Sequence, residues 1–291
     1  MIKNNLFIWV CDFSENSGEG KLARLFIKHL NSKKQFKINF NQTKKIKQKY
    51  ISSILGIYYC WKKYLNNQKV CYLNYLPLWN FLIFIFLPPK TIIGPITGGS
   101  YFPKSLGFNY LIRGFLFPLF YKISEFFLNF RNIQIVFSTD LLKKYLFKKT
   151  INKSKFNFIL NFFLKQKKHK KKIDFIIYYR NHKNKVSLFP HQFIKKLAEA
   201  NYKISVIGDK LDIPFVKNFG KLSNNKVNEL QAMAKYTVAS GENIYSIFVM
   251  ECLSNHVKVI VNTKQNNKIK FFKKSFVKVN YDQLTNFNKF N

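Results

Sequence analysis

Two short stretches of this chain combine residue types that could hold a phosphorylated sugar. Arg180 follows the apolar run Ile173 to Tyr179, and Lys185 stands five positions further on. Two cations in the loop that leaves a buried strand can converge on one diphosphate, the guanidinium as a bidentate fork and the ammonium as a point charge. Further along, Ser240-Gly241-Glu242-Asn243 leads into a helical stretch that carries Glu251, in a chain with only 13 acidic residues. Carboxylates beside a phosphate site can hold ribose and sugar hydroxyls. Each pair has a plainer reading beside it. Arg180 and Lys185 are also what a lysine-rich loop would contain, Glu242 also suits the positive end of a helix dipole, and Glu251 also suits a pairing with a surplus lysine near a helix end.

The elements that must position these residues follow from periodicity. Leu6 to Cys11 reads as a buried strand, Asp12 to Gly20 as a polar loop, and Lys21 to Leu30 as a helix, with Leu22, Leu25, Phe26 and Leu30 at helical spacing. Val70 to Tyr75, Ile92 to Gly94 and Gln134 to Ser138 read as further strands of a parallel sheet. A Lys- and Asn-rich segment from Lys148 to Lys172 marks the domain boundary, giving residues 1–165 and 166–291.

After it come strands at Ile173 to Tyr179, Tyr202 to Ile207, Val216 to Phe219, Tyr236 to Ala239 and Val257 to Val261. Helices at Pro190 to Ala200, Ser223 to Ala234 and Ile244 to Ser254 lie between them. Such alternation is the signature of βαβ units in a doubly wound sheet, whose ligands bind at the carboxyl ends of the strands. The loops after Tyr179 and Ala239 are therefore the expected site.

The 291 residues are 47% hydrophobic, which supplies material for two cores, and the formal net charge is +37. Such a surface selects anionic partners: nucleic acid, an acidic membrane, or phosphorylated small molecules. The same excess of Lys, Asn, Ile and Phe is also what an AT-rich genome writes at tolerant positions. Cys11, Cys60, Cys71 and Cys252 lack CxxC spacing and are expected as reduced core thiols. None of the five histidines has an assignable catalytic or metal partner, and surface or loop roles are expected for them. Leu6 to Val10 is too short for a signal-peptide core, and Leu76 to Leu87 is too short to span a bilayer. The aromatic and basic stretch Tyr101 to Arg131 fits either an anionic membrane surface or a core helix with snorkelling lysines.

In these features the chain resembles the group 1 (GT4-like) glycosyltransferases. Their second domain opens with a strand, an Arg and a Lys five positions later, as at Arg180 and Lys185. The segment from Glu251-Cys252-Leu253-Ser254 to Val259-Ile260 is similar to the second half of their Glu-x7-Glu pattern. Here Glu242 lies nine positions before Glu251 instead of eight, and the Gly-Phe-Gly after the first Glu is missing, so Asn243 competes with Glu242 for the sugar-contacting role. Ser14 to Gly20 resembles the family's N-terminal glycine loop, Gly94-Pro95-Ile96-Thr97-Gly98-Gly99 a loop facing its interdomain cleft, and Phe137-Ser138-Thr139-Asp140 a strand end near the close of its first domain. Plain turns would read the same way.

The resemblance implies an α/β architecture of the GT-B kind, two Rossmann-like domains facing a cleft. It implies glycosyl transfer from a nucleoside-diphosphate sugar with retention, with no metal and no cofactor beyond that co-substrate. The acceptor would be a cell-surface glycan or a lipid-linked molecule, and the location cytoplasmic or peripheral on the inner face of the cytoplasmic membrane. The implied catalytic residues are Arg180, Lys185 and Glu242; the implied donor contacts are Gly18, Gly20, Gly98, Gly99, Arg180, Lys185, Gly241, Glu242, Asn243 and Glu251. Two other readings remain: a basic protein that binds nucleic acid or an anionic membrane without enzymatic activity, and a donor-binding fold that has lost its activity. No helix-turn-helix, zinc-finger, RRM or KH signature supports nucleic acid as the partner.

Overall fold

The computed structural model describes residues 4–15, 17–32, 36–42, 49–73, 78–98, 108–182, 186, 188–239, 241, 243–282 and 290. The chain divides into two units, one closing at Ile159 and the other running from Leu160. Each is built on a six-stranded, wholly parallel sheet, so the α/β expectation is met in both halves.

In the first unit β1 (Asn4–Val10), α1 (Gly18–Ser32), β2 (Phe36–Gln42), α2 (Lys49–Leu65), β3 (Lys69–Leu73), α3 (Phe81–Phe86) and β4 (Ile92–Ile96) follow in order. A helical stretch then runs through α4 (Phe108–Leu111), one wide π turn (Ile112–Leu116) and α5 (Phe117–Phe130). It leads to β5 (Gln134–Phe137), α6 (Lys148–Lys153) and β6 (Ser154–Lys155). The strand order is β2-β1-β3-β4-β5-β6. Parallel sheets are covered on both faces, which is why Leu6 to Val10 and Val70 to Leu73 are buried without a break. Trp9, Tyr72, Phe84 and Phe137 are fully buried, each contributing roughly 1.5 to 3 kcal/mol of apolar transfer.

In the second unit β7 (Ile173–Tyr179), α7 (His191–Glu199), β8 (Ile204–Gly208), β9 (Val216–Asn218), α8 (Asn224–Met233), β10 (Ala234–Val238), α9 (Ile247–Ser254), β11 (Lys258–Asn262) and β12 (Phe276–Val279) give the order β12-β11-β10-β7-β8-β9. The chain builds outward from β7 to β9, then returns to the other side of β7 with β10. That reversal puts a topological switch point between β7 and β10. Phe175, Tyr236 and Phe290 close the core with ring centroids 5.4 to 5.6 Å apart.

The basic run before β7 lies along the second unit. The amide of Gln166 donates to Ser254 O at 2.9 Å and that of Lys172 to Met233 O at 2.8 Å. Lys171 Nζ donates to Ala232 O and Asn255 O, at the carboxyl ends of α8 and α9, where a cation meets the negative end of two helix dipoles. Burial lowers the Lys171 pKa.

Several boundaries differ from those that periodicity predicts. β10 starts two residues earlier than expected because Ala234 pairs with Ile173, and α8 stops at Met233 to release it. α9 begins at Ile247 and not at Ile244, because Asn243 and Ser246 take up the capping positions. Glu251 is therefore the fifth of eight helical residues and not a helix-end residue. His191 also departs from a surface role, since it opens α7 with its ring against Tyr179 and Phe189. None of the four cysteines is in a disulfide, and Cys60, Cys71 and Cys252 are buried.

Candidate functional site

The mouth of the second sheet gathers the loops that leave β7, β8, β10 and β11. Asn181 N donates to Asp209 Oδ2 at 2.8 Å, and Asp209 N returns to Tyr179 O at 3.0 Å, so the loops after β7 and β8 are locked together. The lock depends on Gly208. Its φ is +104°, in the region that disfavours L side chains, and a Cβ there would overlap Tyr179 O. Arg180 lies inside this lock, is exposed, and makes no ion pair among the described residues. Its backbone is thus fixed at the strand end while its side chain is exposed.

Gly241 follows β10. Its carbonyl accepts from Lys268 Nζ at 2.6 Å, and a Cβ on it would stand 2.7 Å from Gln265 Nε2 and 3.7 Å from Leu188 O. This glycine is therefore where the loops after β7, β10 and β11 meet. Next, Asn243 Oδ1 accepts from Tyr245 N at 3.1 Å and Ser246 Oγ from Val249 N at 3.3 Å, shaping the entry to α9. The first-turn amides of an α-helix have no intrahelical acceptor, and with the helix dipole they make its N-terminus attractive to phosphate. The N-terminus of α9 opens at β10, one side of the switch point, and that of α7 opens after β7, the other side.

Glu251 lies one turn into α9 on the face shared with Ile247, about 6 Å along the axis. It is half-buried, and Phe248 beside it packs on Tyr178 at 5.6 Å between centroids. Two buried polar atoms of this end of the unit have no partner among the described residues, His191 Nε2 and Gln265 Oε1. Such groups are costly unless a ligand or water completes them. Burial lowers the His191 pKa and so favours its neutral form. Tyr245 braces the outer wall: its hydroxyl accepts from Lys270 N and Phe271 N at 2.9 and 2.8 Å.

Arg180 thus leaves β7, while Gly241, Asn243 and the helix bearing Glu251 follow β10, its neighbour in the sheet. Lys185 and Glu242 lie outside the described residues, as does Gly99 in the first unit. Lys268, Gln265, Tyr245 and His191 were missed in the sequence. The strand-end rule applied to the loop after β11 would have reached Lys268 and Gln265, whereas nothing in the sequence marks Tyr245 or His191.

Gly18, Gly20 and Gly98 belong to the first unit. There the loop after β1 is closed on itself. Asp12 accepts from Ser14 N at 2.8 Å and Ser17 Oγ at 2.5 Å, Ser17 Oγ caps α1 by accepting from Gly20 N at 2.8 Å, and Arg24 donates to the carbonyls of Phe13 and Ser14. Gly20 is small because the Ser14 backbone fills the space a Cβ would need. A depression at this mouth is lined by Asp12, Glu19, Leu73, Gly94, Pro95 and Thr97, and Thr97 Oγ1 is buried there with no partner among the described residues. It is a wall of carboxylates and apolar groups, suited to hydroxyls and unsuited to phosphate. Among the described residues no three His, Cys, Asp or Glu side chains stand together as a metal site.

No protein-family model matches the chain, and no curated protein matches it in sequence. Solved structures similar to it include Anabaena HepE in complex with UDP and glucose, at 9% identity over 89% of this chain and 80% of that one, with a TM-score of 0.49. The lipopolysaccharide outer core galactosyltransferase WaaB in its apo form aligns at 10% identity over the same shares, with a TM-score of 0.47. The S. aureus MnaA–UDP co-structure aligns at 11% identity over 89% of this chain and 78% of that one, with a TM-score of 0.44.

Proposed function

We propose that the protein is a glycosyltransferase of the two-Rossmann-domain, GT-B type, group 1-like, which moves a sugar from a nucleoside-diphosphate sugar to a cell-surface glycan or a lipid-linked acceptor with retention. The observation that carries this reading is the mouth of the second sheet. An exposed guanidinium on a locked backbone and two helix N-termini flank one switch point, with a half-buried carboxylate on the second of those helices.

In this reading the diphosphate lies against the α9 N-terminus and Arg180, with Lys185 as the second cation. As the glycosidic bond stretches, the leaving diphosphate gains negative charge, and fixed cations and oriented amides stabilise it more in the transition state than in the ground state. Glu251 accepts hydroxyl donors of the ribose, and Asn243 or Glu242 those of the transferred sugar. The acid-lined mouth of the first unit takes the acceptor hydroxyl. The enzyme works on the cytoplasmic side, against the inner face of the cytoplasmic membrane.

Purified protein incubated with UDP-, GDP-, ADP- and CMP-linked sugars, each labelled in the sugar, should slowly release nucleotide from one of them by transfer to water. Release should persist in EDTA and fall in Arg180→Ala. Absence of release from every donor, with tight binding of an oligonucleotide that weakens steeply with salt, would replace this reading with that of a basic nucleic-acid binder.

A further inference from the structure

The helical stretch from Phe108 to Phe130 carries six large apolar side chains on one outward face. Phe108, Leu111, Phe115, Leu119, Phe126 and Phe130 follow at intervals of three, four, four, seven and four residues, the spacing of a single helical stripe. All six are exposed, Phe115 at 82%, Phe130 at 77% and Phe108 at 76%. The opposite face is ordinary core, where Tyr121, Ser124, Glu125 and Leu128 are buried. The π turn Ile112–Leu116 buries nothing, and a Cβ on Gly114 would meet nothing within 4 Å. Packing within the unit therefore leaves most of this stripe uncovered, with Phe126 meeting only Phe127 and Phe130 among the ring contacts of the described residues. Exposed apolar surface of this extent marks a docking face.

Charge says what docks. No Asp or Glu stands between Glu19 and Glu125 in the sequence. Glu125 itself is fully buried, accepting from Phe147 N at 2.6 Å and Lys122 Nζ at 3.1 Å. No carboxylate from this part of the chain accompanies the stripe, while exposed Lys90 lies at its Phe130 end, its amide bonded to Arg131 O at 3.0 Å, and Arg113 stands on the same helical stretch with its guanidinium over the Phe117 ring. A second copy would set two acid-free faces against each other, which like charge opposes. Among the described residues no helix is long and apolar enough to cross a membrane, so the stretch lies in the surface plane.

We propose that this stripe docks the protein on a bilayer of anionic phospholipid, its phenylalanines entering the acyl boundary and Lys90 at its end meeting lipid phosphates. The inference deepens the functional reading by placing the chain at a membrane, yet its observations are independent of the donor site.

The test is flotation of the wild-type protein with vesicles of phosphatidylcholine alone and of an equal mixture with phosphatidylglycerol. The wild type should float with the mixed vesicles and far less with phosphatidylcholine. The triple variant Phe115→Ser, Phe126→Ser, Phe130→Ser should bind at least about tenfold more weakly with its melting temperature retained. Gly114→Glu, which adds one carboxylate where space is open, should weaken binding in the same direction. Nucleotide binding should be unchanged in both variants, so failure here and failure of the transferase reading are told apart. Equal flotation of the wild type and the triple variant, or no flotation of the wild type, would overturn the proposal. So would a wild-type dimer that the triple variant converts to monomer without any vesicle binding.

Discussion

The two sheets present the same local device, a parallel strand followed by a loop and a helix N-terminus, and finish it in opposite ways. After β1 the loop satisfies itself: Ser17 caps α1, Asp12 holds Ser14 and Ser17, and Arg24 is spent on loop carbonyls. After β7 and β10 the backbone is equally fixed, by Asp209 on one side and Lys268 on the other, and Ser246 caps α9 as Ser17 caps α1, but Arg180 is exposed and makes no ion pair among the described residues. The lesson is that a glycine loop before a helix does not by itself make a phosphate site. What separates the two mouths is the cation beside the helix: Arg24 is spent on the carbonyls of its own loop, whereas Arg180 makes no ion pair among the described residues.

The largest effect that would sharpen this contrast is on turnover. Arg180→Ala should lower donor turnover by about a hundredfold or more, since removing one fixed electrostatic stabiliser costs on that order. Its melting temperature should hardly move, because the side chain is exposed. Asp12→Asn should do the reverse, lowering thermal stability while leaving nucleotide binding intact; an equal loss of binding in both variants would erase the distinction between the two mouths.

Next in size is Gly208→Val, which forces a β-branched residue into a positive φ against Tyr179 O. It should cost about 2 kcal/mol or more in denaturant unfolding and release the Arg180 loop. Ser17→Ala removes the α1 cap and should cost about 1 kcal/mol without changing donor affinity.

The smallest effect concerns pH. Burial holds the His191 pKa below its ordinary 6.5, so the unfolded chain binds a proton that the folded one resists. Stability should therefore fall as pH drops below about 6.5. In His191→Asn that acid-side fall should be reduced, as read from melting temperatures between neutral and mildly acid buffer.

The parts of the fold that the sequence made legible are those buried on both sides. Ile173–Tyr179, Ile204–Gly208 and Lys258–Asn262 are interior strands whose apolar runs have no rival reading. β2 was not read because it is the sheet edge: Phe36, Ile38 and their polar neighbours alternate, and an alternating run between lysine clusters looks like loop. β6, at two residues, is too short for any periodicity, and it lies within the Lys- and Asn-rich stretch.

The candidate site shows the same division. Arg180, Gly241 and Asn243 could be placed at strand ends because strand ends can be located from hydrophobicity, and ligands gather at strand ends in open sheets. Lys268 was missed because one lysine among so many carries no signal until its contact with Gly241 is seen. His191 was missed because what sets it apart, a buried Nε2 between Tyr179 and Phe189, is a property of packing.

The most direct test of the central claim, that the second mouth and not the first binds the donor diphosphate, is a thermal-shift titration with UDP, GDP, ADP and CMP on the wild type, Arg180→Ala and Asp12→Asn. One nucleoside diphosphate should raise the melting temperature of the wild type and of Asp12→Asn, and the rise should vanish in Arg180→Ala. A rise that survives in Arg180→Ala but is lost in Asp12→Asn, or no rise with any of the four nucleotides, would contradict it.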